Sequence, residues 1–174
     1  SPSLFAYERW NLGWLDDSQI KCMSENKTAQ LITPVETIGG VKAVMVPISK
    51  TKAVVIESRR PLGIDSKLAK SGALIYVVDS TIQSGFGPVK VYPSDVTSDP
   101  RYLKAPRAVG EKITVEGITV TVTQSNESGD TVAENTANFT IVAASSVQAS
   151  VKTATDKLSY SVKDLLSIET LLSN

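Results

Sequence analysis

The hydrophobic and polar positions of this chain predict many short β-strands. Two continuous runs rich in β-branched residues, Lys52–Arg59 and Ala73–Asp79, predict strands that are buried on both faces. Ile118–Thr123 instead alternates apolar residues with threonines, which is typical of a strand with one face in water. It closely follows Glu111–Val115, and Gly117 lies between the two runs, so together they predict a hairpin.

Further strands are predicted where shorter apolar runs lie between glycine and proline residues. These are Ala29–Pro34, the second half of Thr37–Pro47, Val89–Tyr92 and Asn138–Ala143, with Gln124–Asp130 predicted as a turn. Many short strands with this spacing favour a sandwich over alternating β and α units. We therefore expect a mainly β fold: an antiparallel β-sandwich with a short N-terminal helix and a C-terminal amphipathic helix.

The start of the chain is an aromatic segment that contains both tryptophans. Apolar side chains at helical spacing from Leu4 to Trp10 predict a short helix. Ser3 is its expected N-cap and Gly13 its expected end. Because Trp10 and Trp14 are large apolar side chains, we expect this segment to pack on the core or on a partner.

The end of the chain differs from the strand-rich middle. Residues 145–155 are small and polar, which is typical of a linker. After them, leucine and valine mark one face of a helix, which either docks on the sandwich or contacts a partner or a following domain. That face comprises Leu158, Val162, Leu165, Leu166 and Leu172. The predicted boundaries are 1–20 for the aromatic segment, 21–144 for the sandwich and 145–174 for the linker and helix.

Composition excludes several classes of function. The chain has 174 residues, 18 Lys and Arg against 18 Asp and Glu, and no histidine. The balanced charge argues against a nucleic-acid-binding protein, and no apolar run is long enough to span a membrane. Without imidazole, neither Ser-His-Asp chemistry nor a His-ligated zinc site exists in this chain, so no catalytic residue and no zinc ligand is predicted.

The chain has a single cysteine, Cys22, so it holds no internal disulfide framework. A lone cysteine in an apolar protein is most simply a buried thiol. The alternative is one half of a disulfide whose partner lies on another part of a longer chain.

Two groups of charged residues are candidate sites. Glu57 and Arg59 lie two apart on a predicted strand and so share a face, which predicts a buried polar cluster. The alternatives are an ion pair, or strand ends that emerge into water. Asp65 and Asp79 are candidate calcium ligands, because carboxylates on loops suit Ca²⁺. The alternative for both aspartates is an ordinary surface turn.

Several of these segments together resemble secreted zinc metallopeptidases of the M6 type, the immune-inhibitor-A group and its actinobacterial relatives. The matching stretches are Tyr7–Leu15, Val54–Arg60, Gly63–Asp65, Gly72–Asp79 and, more weakly, Val109–Glu111. Their order and spacing are similar to the stretch that follows the family's methionine turn. The family's HExxH helix has no counterpart here, because this chain contains no histidine.

The resemblance implies a β-rich portion that lies C-terminal to the catalytic core of a secreted bacterial enzyme. In that case zinc is the cofactor of the parent enzyme, and this chain alone is no enzyme. Its partner is the upstream catalytic domain, on the same protein or on another chain, and its role is to support the protease core. The alternative function is a stand-alone secreted adhesion or assembly module that contacts neighbours by strand addition or helix docking.

Overall fold

The computed structural model describes residues 3–23, 29–92, 102–126 and 129–135. Within these ranges the protein is mainly β, as predicted, and a six-residue helix, α1 (Ala6–Asn11), precedes the strands. Single 3₁₀ turns occupy Asp17–Gln19 and Gly63–Asp65. The strands are β1 (Ile20–Cys22), β2 (Gln30–Ile32), β3 (Ala43–Pro47), β4 (Lys52–Arg59), β5 (Gly72–Asp79), β6 (Val89–Val91), β7 (Lys112–Val115), β8 (Ile118–Asn126) and β9 (Gly129–Asn135).

The strands form two sheets. Sheet A has the order β1-β3-β4-β5-β6, and sheet B has the order β2-β9-β8-β7. Neighbouring strands are antiparallel except β1 and β3, which run parallel. The predicted hairpin is present, since β7 and β8 pair through a two-residue turn at Glu116 and Gly117.

The main core lies between the two sheets. Alternate residues of β3, β4 and β5 point to one side of sheet A and meet apolar residues of β2, β7, β8 and β9 from sheet B. This packing makes the protein a β-sandwich, because each sheet buries one face against the other. The buried side chains of this core include Val44, Val54, Ile56, Ile75, Val77, Ile118, Val120, Val122 and Val132.

Sheet A also buries its outer face. Val55, Leu74, Tyr76 and Val78 point away from sheet B and form a second core with Ala6 of helix α1. Phe5, Tyr7 and Leu15 pack against the edge of this core. Strands β4 and β5 are therefore buried on both faces, which confirms the prediction from their continuous apolar runs.

Helix α1 begins later than its sequence predicts, and it ends where its sequence predicts. Its N-cap is Phe5, so the prediction of Ser3 as cap is wrong. Ser3 lies two residues earlier, and its amide points into the protein interior instead. The predicted stop is correct: Gly13 has φ 71°, and the amides of Gly13 and Trp14 donate to the carbonyls of Trp10 and Arg9.

The chain reverses within the predicted turn Gln124–Asp130, but the predicted turn is too long. Strand β8 continues to Asn126 and β9 begins at Gly129, with Asn126 and Gly129 as register partners. The polar composition of this stretch indicates a loop, but β9 lies between β2 and β8, and hydrogen bonding on both sides overrides local propensity. Asp130, fully buried, is held there by Arg60.

Several predicted elements lie outside the described residues: the strand Asn138–Ala143, the linker and the C-terminal amphipathic helix. Within the described ranges, no helix combines the length and the apolarity needed to cross a membrane.

Gly72, the first residue of β5, allows a close approach of two backbone segments. Its φ is 145°, and a Cβ there would lie 2.0 Å from the carbonyl oxygen of Arg107. The backbones of Ala73 and Arg107 exchange hydrogen bonds of 3.0 and 2.7 Å beside it. We expect Gly72→Ala to destabilise the protein by about 3 kcal/mol, since it adds steric overlap to backbone strain.

The measurement for Gly72→Ala is the urea midpoint, with Gly85→Ala as the matched control. Gly85 also has a positive φ, 88°, but a Cβ there meets nothing within 4 Å. Gly85→Ala should therefore lower the free energy of unfolding by only about 1 kcal/mol, through backbone strain alone. If the two variants lowered the urea midpoint equally, steric overlap with the Arg107 carbonyl would not be the reason that position 72 requires glycine.

Candidate functional site

A buried charge cluster, formed by Glu57, Arg59 and Asp65, lies on the outer face of sheet A. Glu57 is 0% exposed, and Arg59 and Asp65 are each 3% exposed. Glu57 and Arg59 are two residues apart on β4 and therefore share a face, as predicted from their spacing. The 3₁₀ turn Gly63–Asp65 brings Asp65 back to the same place. Arg59 contacts both acids at 2.5 Å, through Glu57 Oε1 and Asp65 Oδ2.

The cluster binds the backbone of the N-terminal segment. The Ala6 amide donates to Glu57 Oε2 at 2.6 Å, and the Ser3 amide donates to Asp65 Oδ1 at 2.8 Å. Arg59 donates in turn to the carbonyls of Ser3 at 3.3 Å and Leu4 at 3.1 Å. Each carboxylate oxygen of the cluster thus accepts at least one hydrogen bond, which offsets the cost of burying two negative charges beside one positive charge.

Tyr76 of β5 joins the cluster to helix α1. Its hydroxyl donates to Glu57 Oε2 at 2.9 Å and accepts the Tyr7 amide at 3.3 Å. Burial, together with the negative charge of Glu57, raises the pKa of Tyr76 well above its usual value. Phe5 completes the contact: its ring centre lies 4.8 Å from that of Tyr76 and 5.6 Å from Arg59 Cζ.

A second ion pair, between Arg9 and Glu36, extends this network towards solvent. Arg9 Nη2 contacts Glu36 Oε1 and the Ser3 hydroxyl, and Arg9 Nη1 donates to the Val35 carbonyl at 3.4 Å. Arg9 therefore connects helix α1 to the loop between β2 and β3. Sequence spacing gives no signal for this pair, because the two residues are 27 positions apart.

The two candidate calcium ligands lie at opposite ends of sheet A. Asp65 is bound to Arg59, whose register partner is Gly72, whereas Asp79 stands opposite Lys52. The ends of β5 are about 23 Å apart at the usual rise per residue. Asp65 and Asp79 therefore cannot share one cation.

Local bonds engage the carboxylate of Asp79. The Thr81 hydroxyl donates to Asp79 Oδ1 at 2.6 Å and the Thr81 amide at 3.0 Å. These bonds, the hydroxyl first, lower the pKa of Asp79. Within the described part of the chain, no three His, Cys, Asp or Glu side chains come together as a metal-binding group. Calcium binding by either aspartate stays a prediction.

The two tryptophans have different surroundings. Trp10 is partly buried, and its Nε1 donates to Asp17 Oδ1 at 2.7 Å while its ring lies 6.4 Å from that of Tyr7. Trp14 is 65% exposed, and Leu12 beside it is 57% exposed. The N-terminal segment thus packs on its own sheet through Phe5, Ala6 and Tyr7, and Trp14 is left facing solvent.

Cys22 is exposed, so the expectation of a buried thiol is wrong. The reason lies in the topology, because Cys22 ends β1, the three-residue strand at the edge of sheet A. The expectation came from the low polarity of the cysteine side chain, which does not reveal whether a strand lies at a sheet edge.

Arg60 connects the two sheets beside the charge cluster. Its Nη1 and Nη2 donate to the two carboxylate oxygens of Asp130 at 2.9 and 3.0 Å. Because this paired contact is geometrically specific, it fixes the end of β4 against β9. The polar character of the stretch around Asp130 concealed its role from sequence analysis.

Lys42 is a buried lysine that sequence analysis missed. It is 1% exposed, and its Nζ donates to the hydroxyls of Thr33 and Thr37 and to the Pro34 carbonyl at 2.9–3.0 Å. Burial, reinforced by the positive charge of Arg9, lowers the pKa of Lys42. The amine therefore orders the loop between β2 and β3 with neutral oxygen atoms as its hydrogen-bond partners.

We expect the stability of the protein to rise with pH relative to a Lys42→Met variant. Below the folded-state pKa, both the folded and the unfolded state carry the proton. As the pH rises from that lowered value to the unfolded value of about 10.4, the folded state releases its proton first, which favours folding. Urea unfolding at neutral and alkaline pH measures this difference. The free energy of unfolding of the parent protein, minus that of Lys42→Met, should increase at alkaline pH. A decrease would contradict the lowered pKa.

Comparisons with known proteins do not assign the chain to a family. No family model, no curated protein and no solved structure matches it.

Proposed function

We propose that this chain is a non-catalytic β-rich domain of a secreted bacterial metallopeptidase of the M6 type, and that it supports the protease core. One observation carries the proposal: the separate stretches that resemble that family meet at the charge cluster. Tyr7 lies in the first stretch, Glu57 and Arg59 in the second, Asp65 in the third and Tyr76 in the fourth. These residues contact one another directly or through the backbone of Ser3–Ala6.

The geometry of the cluster suits a supporting role. The backbone of the N-terminal segment is held at Leu4, Ala6 and Tyr7 by buried side chains of sheet A, and at Ser3 by Asp65 of the 3₁₀ turn. Buried, charge-assisted hydrogen bonds are shorter and stronger than neutral ones, so the segment has a fixed direction on the sandwich. A catalytic domain joined to this segment is thereby held in one orientation relative to the sandwich.

In this proposal, the catalytic chemistry of the parent enzyme belongs to a different domain from this chain. This chain has no histidine, so it supplies no residue of an HExxH centre. Its contribution is the position of the segment, and zinc and the general base belong to the catalytic domain.

The first test is the coding sequence that precedes Ser1 in the gene. We expect an HExxH-encoding stretch upstream in the same reading frame or in an adjacent gene. The proposal is overturned if neither the upstream reading frame nor an adjacent gene encodes HExxH.

The second test uses the complete gene product. We expect Arg59→Met to shorten the lifetime of its zinc-dependent peptidase activity on mild heating, because the segment then loses its anchor. Lys50→Met, at an exposed position, is the matched control. Equal lifetimes for the Arg59→Met protein and the control would show that the cluster does not support the catalytic core.

A stand-alone adhesion or assembly module is the second candidate, and the open sheet edges favour it. Strand β7 pairs with β8 and, among the described strands, with no other. Its outer edge has no strand partner among the described residues, so its backbone groups there can bond another strand. Polymers of the native protein, combined with an upstream sequence that lacks zinc ligands, would favour this function over the first.

A further inference from the structure

We propose that the outer face of sheet A is a peptide-binding groove whose ligand is the N-terminal segment, residues 3–11, and that a second copy of this chain can supply that segment. The two copies would exchange segments and form a swapped dimer. The proposal is independent of the metallopeptidase assignment, because it concerns only contacts within this chain.

The groove recognises the backbone of its ligand. Glu57 and Asp65 accept the amides of Ala6 and Ser3, and Arg59 donates to the carbonyls of Ser3 and Leu4. Two side chains of the segment enter it: Ala6 is fully buried, and the Phe5 ring lies 4.8 Å from that of Tyr76, tilted by 38°, and 5.6 Å from Arg59 Cζ. The same contacts form whether the segment comes from this copy or from another, because the groove and segment are unchanged.

The connection between the segment and the sandwich, residues 12–18, packs on sheet A through Leu15, but none of its described hydrogen bonds reaches either sheet. The hydrogen bonds described for residues 12–18 stay within the first nineteen residues: the amides of Leu12, Gly13 and Trp14 bond helix α1, and the amide of Asp16 bonds the Gln19 side chain. Gln19, the residue after the connection, is bonded to the sandwich: its carbonyl accepts the amide of Lys42, which directly precedes β3, at 2.7 Å. Fully extended, the seven residues 12–18 reach about 24 Å, enough to pass into a neighbouring copy.

Exposed apolar side chains on the connection favour a second copy as the partner. Leu12 and Trp14 are 57% and 65% exposed. In a two-fold swapped dimer the two connections run side by side, so the same side chains from both copies meet at the symmetry axis. This arrangement removes from water the apolar surface that the monomer leaves exposed.

The test alters the length of the connection in the full chain. Deleting Gly13–Leu15 shortens the connection from seven residues to four, which disfavours the return of the segment to its own sheet, and we expect the share of dimer to rise, as measured by size-exclusion chromatography with light scattering. Inserting three glycine and serine residues after Gly13 is the matched control, and it should favour the monomer. A folded, monomeric deletion variant overturns the proposal.

A mixing experiment identifies segment exchange even where single variants fold poorly. Ala6→Glu damages the segment, and Arg59→Met damages the groove. Unfolded together and refolded as a mixture, the two chains form a heterodimer in which an intact segment from one occupies the intact groove of the other. We expect native mass spectrometry to show this heterodimer, with a urea midpoint above that of either variant alone.

The mixing result decides between exchange and simple surface association. Dimers that form through Leu12 and Trp14 alone would not restore the urea midpoint, because each copy would keep its own damaged site. A mixture without a heterodimer, or with a midpoint no higher than that of the separate variants, overturns the proposal even if the deletion variant dimerises.

Discussion

Replacing Arg59 with methionine is expected to destabilise the protein by about 3–5 kcal/mol, the usual cost of leaving a buried charge without its partner. Arg59 is the positive member of the charge cluster and contacts Glu57 and Asp65 at 2.5 Å. Methionine has a similar length but no charge, so both carboxylates stay buried without their counter-ion. The carbonyls of Ser3 and Leu4 lose their donor as well, which releases the N-terminal segment.

Urea unfolding followed by tryptophan fluorescence measures this change, since Trp10 lies on the N-terminal segment and Trp14 on the connection that follows it. Lys50→Met is the control at an exposed site and should stay within about 0.5 kcal/mol of the parent protein. The triple variant Glu57→Gln/Arg59→Met/Asp65→Asn removes every charge of the cluster and should recover part of the loss. An Arg59→Met midpoint equal to that of the control would show that the cluster does not hold the fold.

The second large effect is expected from a charge placed in β4. Val55 and Ile56 are both fully buried, Val55 towards helix α1 and Ile56 towards sheet B. Either Val55→Asp or Ile56→Asp buries a carboxylate among apolar side chains, which costs at least about 4 kcal/mol. We expect both variants to be largely unfolded at room temperature, as measured by far-UV circular dichroism and amide hydrogen exchange.

Strand β8 offers the matched control, because only one of its faces is buried. Thr121 points away from the core, and its register partner is Lys112. Thr121→Asp should therefore cost about 1 kcal/mol or less, the usual range for strand propensity. If Val55→Asp were no more harmful than Thr121→Asp, the outer face of sheet A would not be a core.

The strands with strong patterns could be predicted from the sequence, and those held by their neighbours could not. The runs at β4 and β5 are continuous because both faces are buried, and β8 alternates because one face is. Strand β9 has no such pattern, since it is a strand through its pairing with β2 and β8. Strand β1 is only three residues long and pairs parallel with β3, which no local signal reveals.

The charge cluster was half predictable for a similar reason. Strand geometry alone places Glu57 and Arg59 on one face. The groups that bond to the cluster come from distant parts of the chain: Tyr76 follows Glu57 by 19 residues, and Ser3 precedes Asp65 by 62. Lys42 was missed because lysine side chains are almost always exposed, and its three oxygen partners lie in a loop whose shape the sequence does not encode locally.

The long separations between helix α1 and its anchors have a consequence for synthesis on the ribosome. Glu57 is synthesised 51 residues after its partner Ala6, and Tyr76 is synthesised 69 residues after its partner Tyr7. At about 5–20 residues per second, the aromatic segment stays without its binding surface for several seconds after it leaves the exit tunnel. Nascent chains stalled before Tyr76 should therefore present that segment to chaperones, and chains stalled after the sheet is complete should hide it.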